Sequence, residues 1–600
     1  MPDTSQIPRA EYPRPQFVRT DWLNLNGDWE FEIDSGDSGL ERGLLTRALT
    51  GHILVPFCPE SPLSGINNSD FMNAVWYRRT VTIPADWTDK RLLLHFQAVD
   101  YDTTVWANGR EVGRHRGGFT TFTCDLGLAT AGEIIELVVR ARDPNKGPQP
   151  RGKQTRDYAG SGAHYGRITG IWQTVWIEPV PDRCALQRPR LTPDVANSLI
   201  RLEQPLLGNA TGLTLRATLR DAAGVIYTGQ CAADADFAPS LDLPIPESRC
   251  QLWSPSNPHL YDLDIELINA AGQVVDKASS YAGLRSVRIE GKAVKINGEA
   301  IFQRLVLDQG FYSDGILTAP SDEALKNDIE LSIAAGFNGA RLHQKVFEER
   351  FLYHADKRGY LVWGEFPDWG AGGHGPVEDH QHFGPTYVTQ WLEAVERDYS
   401  HPAIIGWCPL NETWQPLTDR TGELDDVTRA MFLATKALDT TRPVLDTSGY
   451  SHRVPETDIY DSHDYEQSTT IFDARHKTTG DKPYMNMFWL DNRPMSVAYR
   501  GQPYFVSEFG GIWWNPNAKP GENSWGYGER PQTLEEFYTR FEGLCATLLG
   551  NVEMFGYCYT QLTDVYQEQN GIYTFARGEK FDMDRIRRAQ QRPAAIETEA

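Results

Sequence analysis

No stretch of this chain reaches the roughly 18 consecutive apolar residues of a membrane-spanning helix, so none is expected. The opening segment, MPDTSQIPRAEYPRPQF, lacks the apolar core of a secretory leader and reads as a Pro-rich lead-in. For a full natural chain, that leaves the cytoplasm as the default location. Cysteine is scarce: eight in 600 residues, irregularly spaced and without a CxxC pair. Neither a disulfide framework nor a zinc site is expected, and the thiols read as reduced core residues. Basic residues are outnumbered, 58 Lys and Arg against 81 Asp and Glu, for a net charge of −23. Such a surface repels nucleic acid and anionic membranes and mildly disfavours anionic substrates. No cofactor is expected.

Aromatic residues are plentiful, with 17 Trp, 25 Tyr and 25 Phe. Rings stack well on the C–H faces of sugars, but they also fill β-sandwich cores. Composition does not separate the two.

The first third reads as antiparallel β. Short alternating runs recur at Trp29–Ile33, Ala74–Ile83, Arg91–Phe96, Thr103–Trp106 and Ile134–Val139. Asn108-Gly109 between two of them is a hairpin turn. This pattern predicts a jelly roll over 1–181. A second set of strand-like runs, among them LIRLEQPLL and YDLDIELIN, predicts an immunoglobulin-like β-sandwich over 182–285.

From 286 to 600 the rhythm becomes strand, loop, helix. Candidate strands are Ile301–Leu307, Asn338–Leu342, Tyr360–Glu365, Ile404–Trp407, Val444–Thr447, Ile459–His463, Tyr504–Ser507 and Met554–Thr560. Ser321 can cap a helix whose apolar face carries Leu325, Ile329 and Ile333. Repeated βα units of this length predict a (β/α)8 TIM barrel, with its chemistry at the C-terminal strand ends.

Two candidate strands end in glutamate: IIGWCPLNE, finishing at Asn411-Glu412, and YFVSEFG, which contains Glu508. As the fourth and seventh strands they place both carboxyl groups on one rim. Glycoside hydrolysis needs such a pair, about 5–5.5 Å apart when the anomeric configuration is retained. The two must titrate apart, so Glu412 is expected protonated at rest and Glu508 ionised. Asn411 is suited to bond the sugar 2-OH.

At these residues the chain resembles glycoside hydrolase family 2, the family of β-galactosidases, β-glucuronidases and β-mannosidases. The resemblance covers nearly the whole chain. LNLNGDWEFEID, VDYDTTVWANGREVGRHRGGFTTFTCDL and GRITGIWQTVWIEPV resemble its sugar-binding jelly roll. GLRSVRIEGKAVKINGEAIFQR resembles its junction into the barrel, and DIELSIAAGFNGARLHQKVFEERFLYHADKRGYLVWGEFP its second and third strands. The resemblance implies Glu412 as acid/base and Glu508 as nucleophile. It implies sugar-pocket roles for Arg341, His343, Tyr465 and, more loosely, Tyr557. Arg341 could instead form a barrel ion pair with Glu365. Trp369, Trp407, Trp414, Trp513 and Trp514 lie near strand ends, and one or two of them are expected to form a sugar platform.

The chain departs from the family in places. His343-Gln344-Lys345 stands where His-Tyr-Pro is common, and Gln569-Asn570-Gly571-Ile572 lacks the Asn-x-Lys of β-glucuronidases. Asn517-Ala518-Lys519 has those letters but follows strand seven. The expectation is a retaining exo-β-glycosidase acting on an oligosaccharide or glycoside with a terminal neutral sugar, β-galactosidase in type. β-Glucosidase, β-mannosidase and arabinosidase stay open, and β-glucuronidase is disfavoured. A non-catalytic carbohydrate-binding protein is the alternative. His374, His380 and His382 cluster in GHGPVEDHQH, but a flexible loop is expected there rather than a metal site. A homo-oligomer is left open.

Overall fold

The structure is a computed structural model, and it describes residues 7–369, 382–413, 415–516 and 523–599. Three β-rich units follow one another. The first pairs a six-stranded sheet with a four-stranded one. Trp29, Tyr77, Leu94, Val139 and Ile177 fill the space between the two sheets, as alternating inward residues should. Asn108 and Gly109 both take positive φ, 49° and 75°, and close the hairpin from Asp102–Ala107 to Arg110–Arg116. The second unit packs Thr214–Asp221 and its three neighbours on a three-stranded sheet around Leu202, Leu215 and Leu263.

A hairpin, Val287–Glu290 with Ala293–Ile296, leads into the barrel. Its parallel strands are Gln303–Asp308, Gly339–Leu342, Leu361–Glu365, Ile404–Cys408, Tyr460–Asp464, Tyr504–Gly510 and Met554–Thr560. Ser321 caps the helix Asp322–Ala334, its hydroxyl accepting from Ala324 N at 3.2 Å. Among the described residues no helix is long and apolar enough to cross a membrane.

The expected fifth strand, Val444–Thr447, forms no continuous ladder. It makes single parallel bridges, Trp407 with Val444 and Asn411 with Ser448. A buried ionic group joins this segment to the sixth strand instead. His452 lies between Asp446 and Asp461, at 2.8 and 3.0 Å, with all three side chains out of solvent. Gly449 N and the Ser507 hydroxyl also donate to Asp461. Side-chain charge thus replaces backbone pairing where the barrel closes.

Burial disfavours the His452 imidazolium, but the two carboxylates overcome this and raise its pKa to about 10. A raised folded-state pKa stabilises the fold fully below the unfolded value of about 6.5 and loses that contribution as pH rises through the folded one. Unfolding midpoints should therefore fall between pH 6.5 and about 10, and His452→Ala should flatten that slope. The substitution should itself cost about 3–5 kcal/mol, because two buried carboxylates lose their cation. Thermal unfolding across pH measures both.

Candidate active site

Glu412, just after the fourth strand, and Glu508, near the end of the seventh, meet across the barrel mouth. One carboxylate oxygen of each, together with a ring nitrogen of His463, lie within 4.8 Å of one another. Among the described residues this is the one group of three His, Cys, Asp or Glu side chains to converge so closely, so no separate metal set accompanies it.

Glu508 is almost fully buried. Its Oε1 accepts from Arg341 Nη1 at 3.2 Å, and its Oε2 from the Tyr465 hydroxyl at 2.5 Å. Tyr465 is held by Tyr527, stacked on it at 3.4 Å, and by the Thr560 hydroxyl at 3.1 Å. Arg341 makes both of the contacts that were set out as alternatives. Its Nε meets Glu365 Oε1 at 2.5 Å while its other nitrogens reach Glu508, Ser507 O and Asn411 Oδ1. That contact leaves Asn411 Nδ2 buried and without a partner among the described residues. His343 lies 3.0 Å from Glu365 and 3.9 Å from Glu508. Burial and then the nearby Lys153 ammonium hold its pKa well below the usual imidazole value.

Glu412 sits at φ 51°, a left-handed conformation that costs a non-glycine residue on the order of 1–3 kcal/mol. Its backbone N–H donates to Ser448 O at 2.9 Å, anchoring the turn to the bridge-only fifth strand. Oε1 faces His463 Nδ1 at 2.9 Å, and Oε2 accepts from Trp369 Nε1 at 2.6 Å. Burial alone would raise the pKa of this carboxyl. His463, Lys153 and Trp369 overcome burial and lower it to about 2. This direction runs against the expectation that Glu412 rests protonated, because His463 lies against it, a neighbour that the motif does not reveal.

A loop of the jelly roll walls the cleft. Gly152 N donates to Pro367 O at 2.6 Å, and a Cβ there would meet Gln344 O. Trp525 Nε1 donates to Gly162 O at 2.9 Å, and the Tyr165 hydroxyl bonds Glu568. His164 packs edge-on against Trp369 at 4.4 Å. The same loop delivers Lys153.

One further expectation, Tyr557, needs correction. Tyr557 does not face the cleft. Its ring packs on Phe302 and Phe509, and its hydroxyl bonds Gln590 on the outer helix Met583–Gln590. Successive strand residues point to opposite faces, so Cys558 is the one turned inward, toward Arg341 and Glu508. The proposed tryptophan platform also divides. Trp369 touches Glu412, whereas Trp407 is a core ring bonded to Asp439, and Trp514 packs on Phe537. Trp513 is partly buried, bonded to Ser524 and covered by Arg530 at 5.8 Å, with no described contact to either carboxylate. Trp414, Asn517, Ala518, Lys519, His374 and His380 lie outside the described residues; His382 lies within them.

His463, Thr560, Lys153 and Tyr450, whose side chain hydrogen-bonds Glu412, were not singled out from sequence. The strand YDSHDY carries a signal for the first. Alternation puts Asp461, His463 and Tyr465 on one face. Nothing local points to Lys153, whose domain is remote in the chain.

Opposed buried carboxylates at this separation, on the C-terminal rim of a βα barrel, are the constellation of barrels that cleave glycosidic bonds. Comparison with known families agrees. Residues 61–142 match the model for glycosyl hydrolases family 2, sugar binding domain; 186–285 match glycosyl hydrolases family 2; and 289–513 match its TIM barrel domain. The chain belongs to glycosyl hydrolases family 2. It is 26% identical over 350 residues to a putative beta-glucuronidase of Formosa agariphila, covering 57% of this chain and 40% of that protein. It is 25% identical over 417 residues to a beta-galactosidase of Thermoanaerobacter pseudethanolicus, covering 64% and 51%. The fold matches β-glucuronidase from Ruminococcus gnavus with a TM-score of 0.76 at 18% identity, over 98% of this chain and 100% of that one.

Tyr465→Phe removes a charge-assisted bond to Glu508, a contact worth about 1.5–3 kcal/mol, so kcat on an aryl glycoside should fall roughly 10- to 100-fold. Tyr557→Phe should leave kcat within about twofold and lower only the unfolding midpoint. Steady-state kinetics of the two variants checks the assignment of faces.

Proposed function

We propose that the protein is a retaining exo-β-glycosidase, and the single observation that carries this is the approach of Glu412 and Glu508 to within 4.8 Å. Inverting enzymes hold their carboxyl groups about 6.5–9.5 Å apart to admit a water, and this pair is closer. Glu508, oriented by Arg341 and Tyr465, attacks the anomeric carbon. Glu412 gives a proton to the departing oxygen and then takes one from the water that releases the sugar. The free Nδ2 of Asn411 is placed to donate to the sugar 2-OH.

The sugar has two readings. A terminal neutral pyranose of galactose type is supported by relatives named beta-galactosidase. A uronic acid is favoured by Lys153, a residue 8% exposed that forms no ion pair with a carboxylate among the described residues. That cation acts on Glu412, His343 and Glu568 from the cleft side. Relatives named beta-glucuronidase accord with this second reading.

Glu508→Gly should lose measurable turnover, and azide should restore it with an inverted glycosyl azide as product. Glu412→Gln should retain more activity on nitrophenyl than on alkyl glycosides, and equal loss on both would remove Glu412 from the acid role. A panel of nitrophenyl galactoside, glucuronide and galacturonide separates the sugars. If a uronide is the substrate, Lys153→Met should raise KM on it by roughly 10- to 100-fold, as loss of a charged hydrogen bond implies.

A further inference from the structure

His463 occupies a position that the two-carboxylate scheme leaves unused. It is buried on the sixth strand, and Gly449, at φ 75°, packs so close that a Cβ there would lie 2.7 Å from the ring. Its Nδ1 is 2.9 Å from Glu412 Oε1 and 3.4 Å from Glu508 Oε2, so one ring nitrogen serves both carboxylates. Its Nε2 is 2.9 Å from the Ser448 hydroxyl, which itself donates to Asp461 at 3.2 Å. With the serine proton directed to Asp461, Nε2 must carry a proton to bond Ser448. A nitrogen facing two carboxylates must carry one as well. Ser448 Oγ also lies 3.3 Å from Ser507 Oγ, a second acceptor for its proton. A proton on each ring nitrogen makes an imidazolium, the state on which the proposal below rests.

The charges around the ring agree. Glu412 and Glu508 face it from the fourth and seventh strands, Glu365 and Arg341 from the third and second, and Asp461 lies behind it on its own strand. Tyr450 lies edge-on at 5.5 Å. Burial lowers the His463 pKa, but Glu508 and Glu412 outweigh burial and Arg341, and the net direction is upward.

We propose that His463 is a positioning residue that stores the catalytic proton of the empty site and passes it to Glu412. This rests on the retaining-glycosidase reading. At rest the site is carboxylate, imidazolium, carboxylate. When a glycoside enters, the Nδ1 proton moves to Glu412 Oε1 along their hydrogen bond, leaving neutral imidazole and a carboxylic acid. Glu412 gives that proton to the glycosidic oxygen as Glu508 bonds the anomeric carbon and the aglycone leaves as an alcohol. In the second half, Glu412 takes a proton from water as the water oxygen displaces Glu508, and the proton returns to Nδ1. One proton is used from His463 and one is returned, so the cycle closes without any other reactant. The arrangement reconciles an ionised Glu412 in the empty site with its work as an acid.

The test is the pH profile of kcat/KM on a nitrophenyl glycoside that the unaltered enzyme turns over. Its alkaline limb reports loss of the shared proton. His463→Asn keeps a donor toward Glu412 but holds no titrating proton, so the limb should move toward acid by about one pH unit or more. Alkyl glycosides should suffer more than nitrophenyl ones. Ser448→Ala, which leaves His463 in place and removes the acceptor of Nε2, should move the limb the same way by a smaller step and serves if His463→Asn does not fold. A lower rate with an unmoved limb in either variant overturns the proton role and leaves the glycosidase reading standing. No turnover of any glycoside by the unaltered enzyme overturns both.

Discussion

Glu412 and Glu508 bring two buried carboxyl groups within 4.8 Å of each other, and the site depends on the basic side chains set around them. Arg341 lies on one side of Glu508 and His463 on the other, between the two acids. Each cation is itself buried and itself anchored, Arg341 by Glu365 and His463 by Ser448. The left-handed backbone at Glu412 and the close packing of Gly449 follow from the same demand. They bring an acid and an imidazole together at a point where barrel strands pair poorly. The His452 ion group beneath the cleft closes that weak seam without a ladder.

The jelly roll contributes directly to this centre. Its loop from Gly152 to Tyr165 covers the mouth and bonds to residues that follow the third, seventh and eighth strands. Trp369, which donates to Glu412, is packed by His164 from that loop. Lys153, from the same loop, adds a positive charge that acts on Glu412 and His343. The N-terminal unit is therefore part of the site's electrostatics, and a barrel without it would lose both the wall and the cation.

Much of the fold was legible because it rests on local rules. Asn108-Gly109 turns where two adjacent positive-φ residues are needed, Ser321 caps its helix, and seven of the expected barrel strands appear within a few residues of their place. The remaining one, the fifth, Val444–Thr447, reads as a strand by composition but is held by a buried histidine and two aspartates that no period reveals. Tyr557 was misassigned because a strand-end aromatic can face either way, and one residue of register decides which.

Sequence alone determined the three-part architecture, the identity of the two strand-end acids and the family, since each follows from short-range pattern and ordered motif. Tertiary structure alone decided which charged groups surround Glu412, which tryptophan touches it and which distant lysine acts on it. The reason is physical. Patterns along a chain report which face of an element is buried, whereas a pKa depends on every charge within a few ångströms, and those charges come from strands and a domain far apart in the chain.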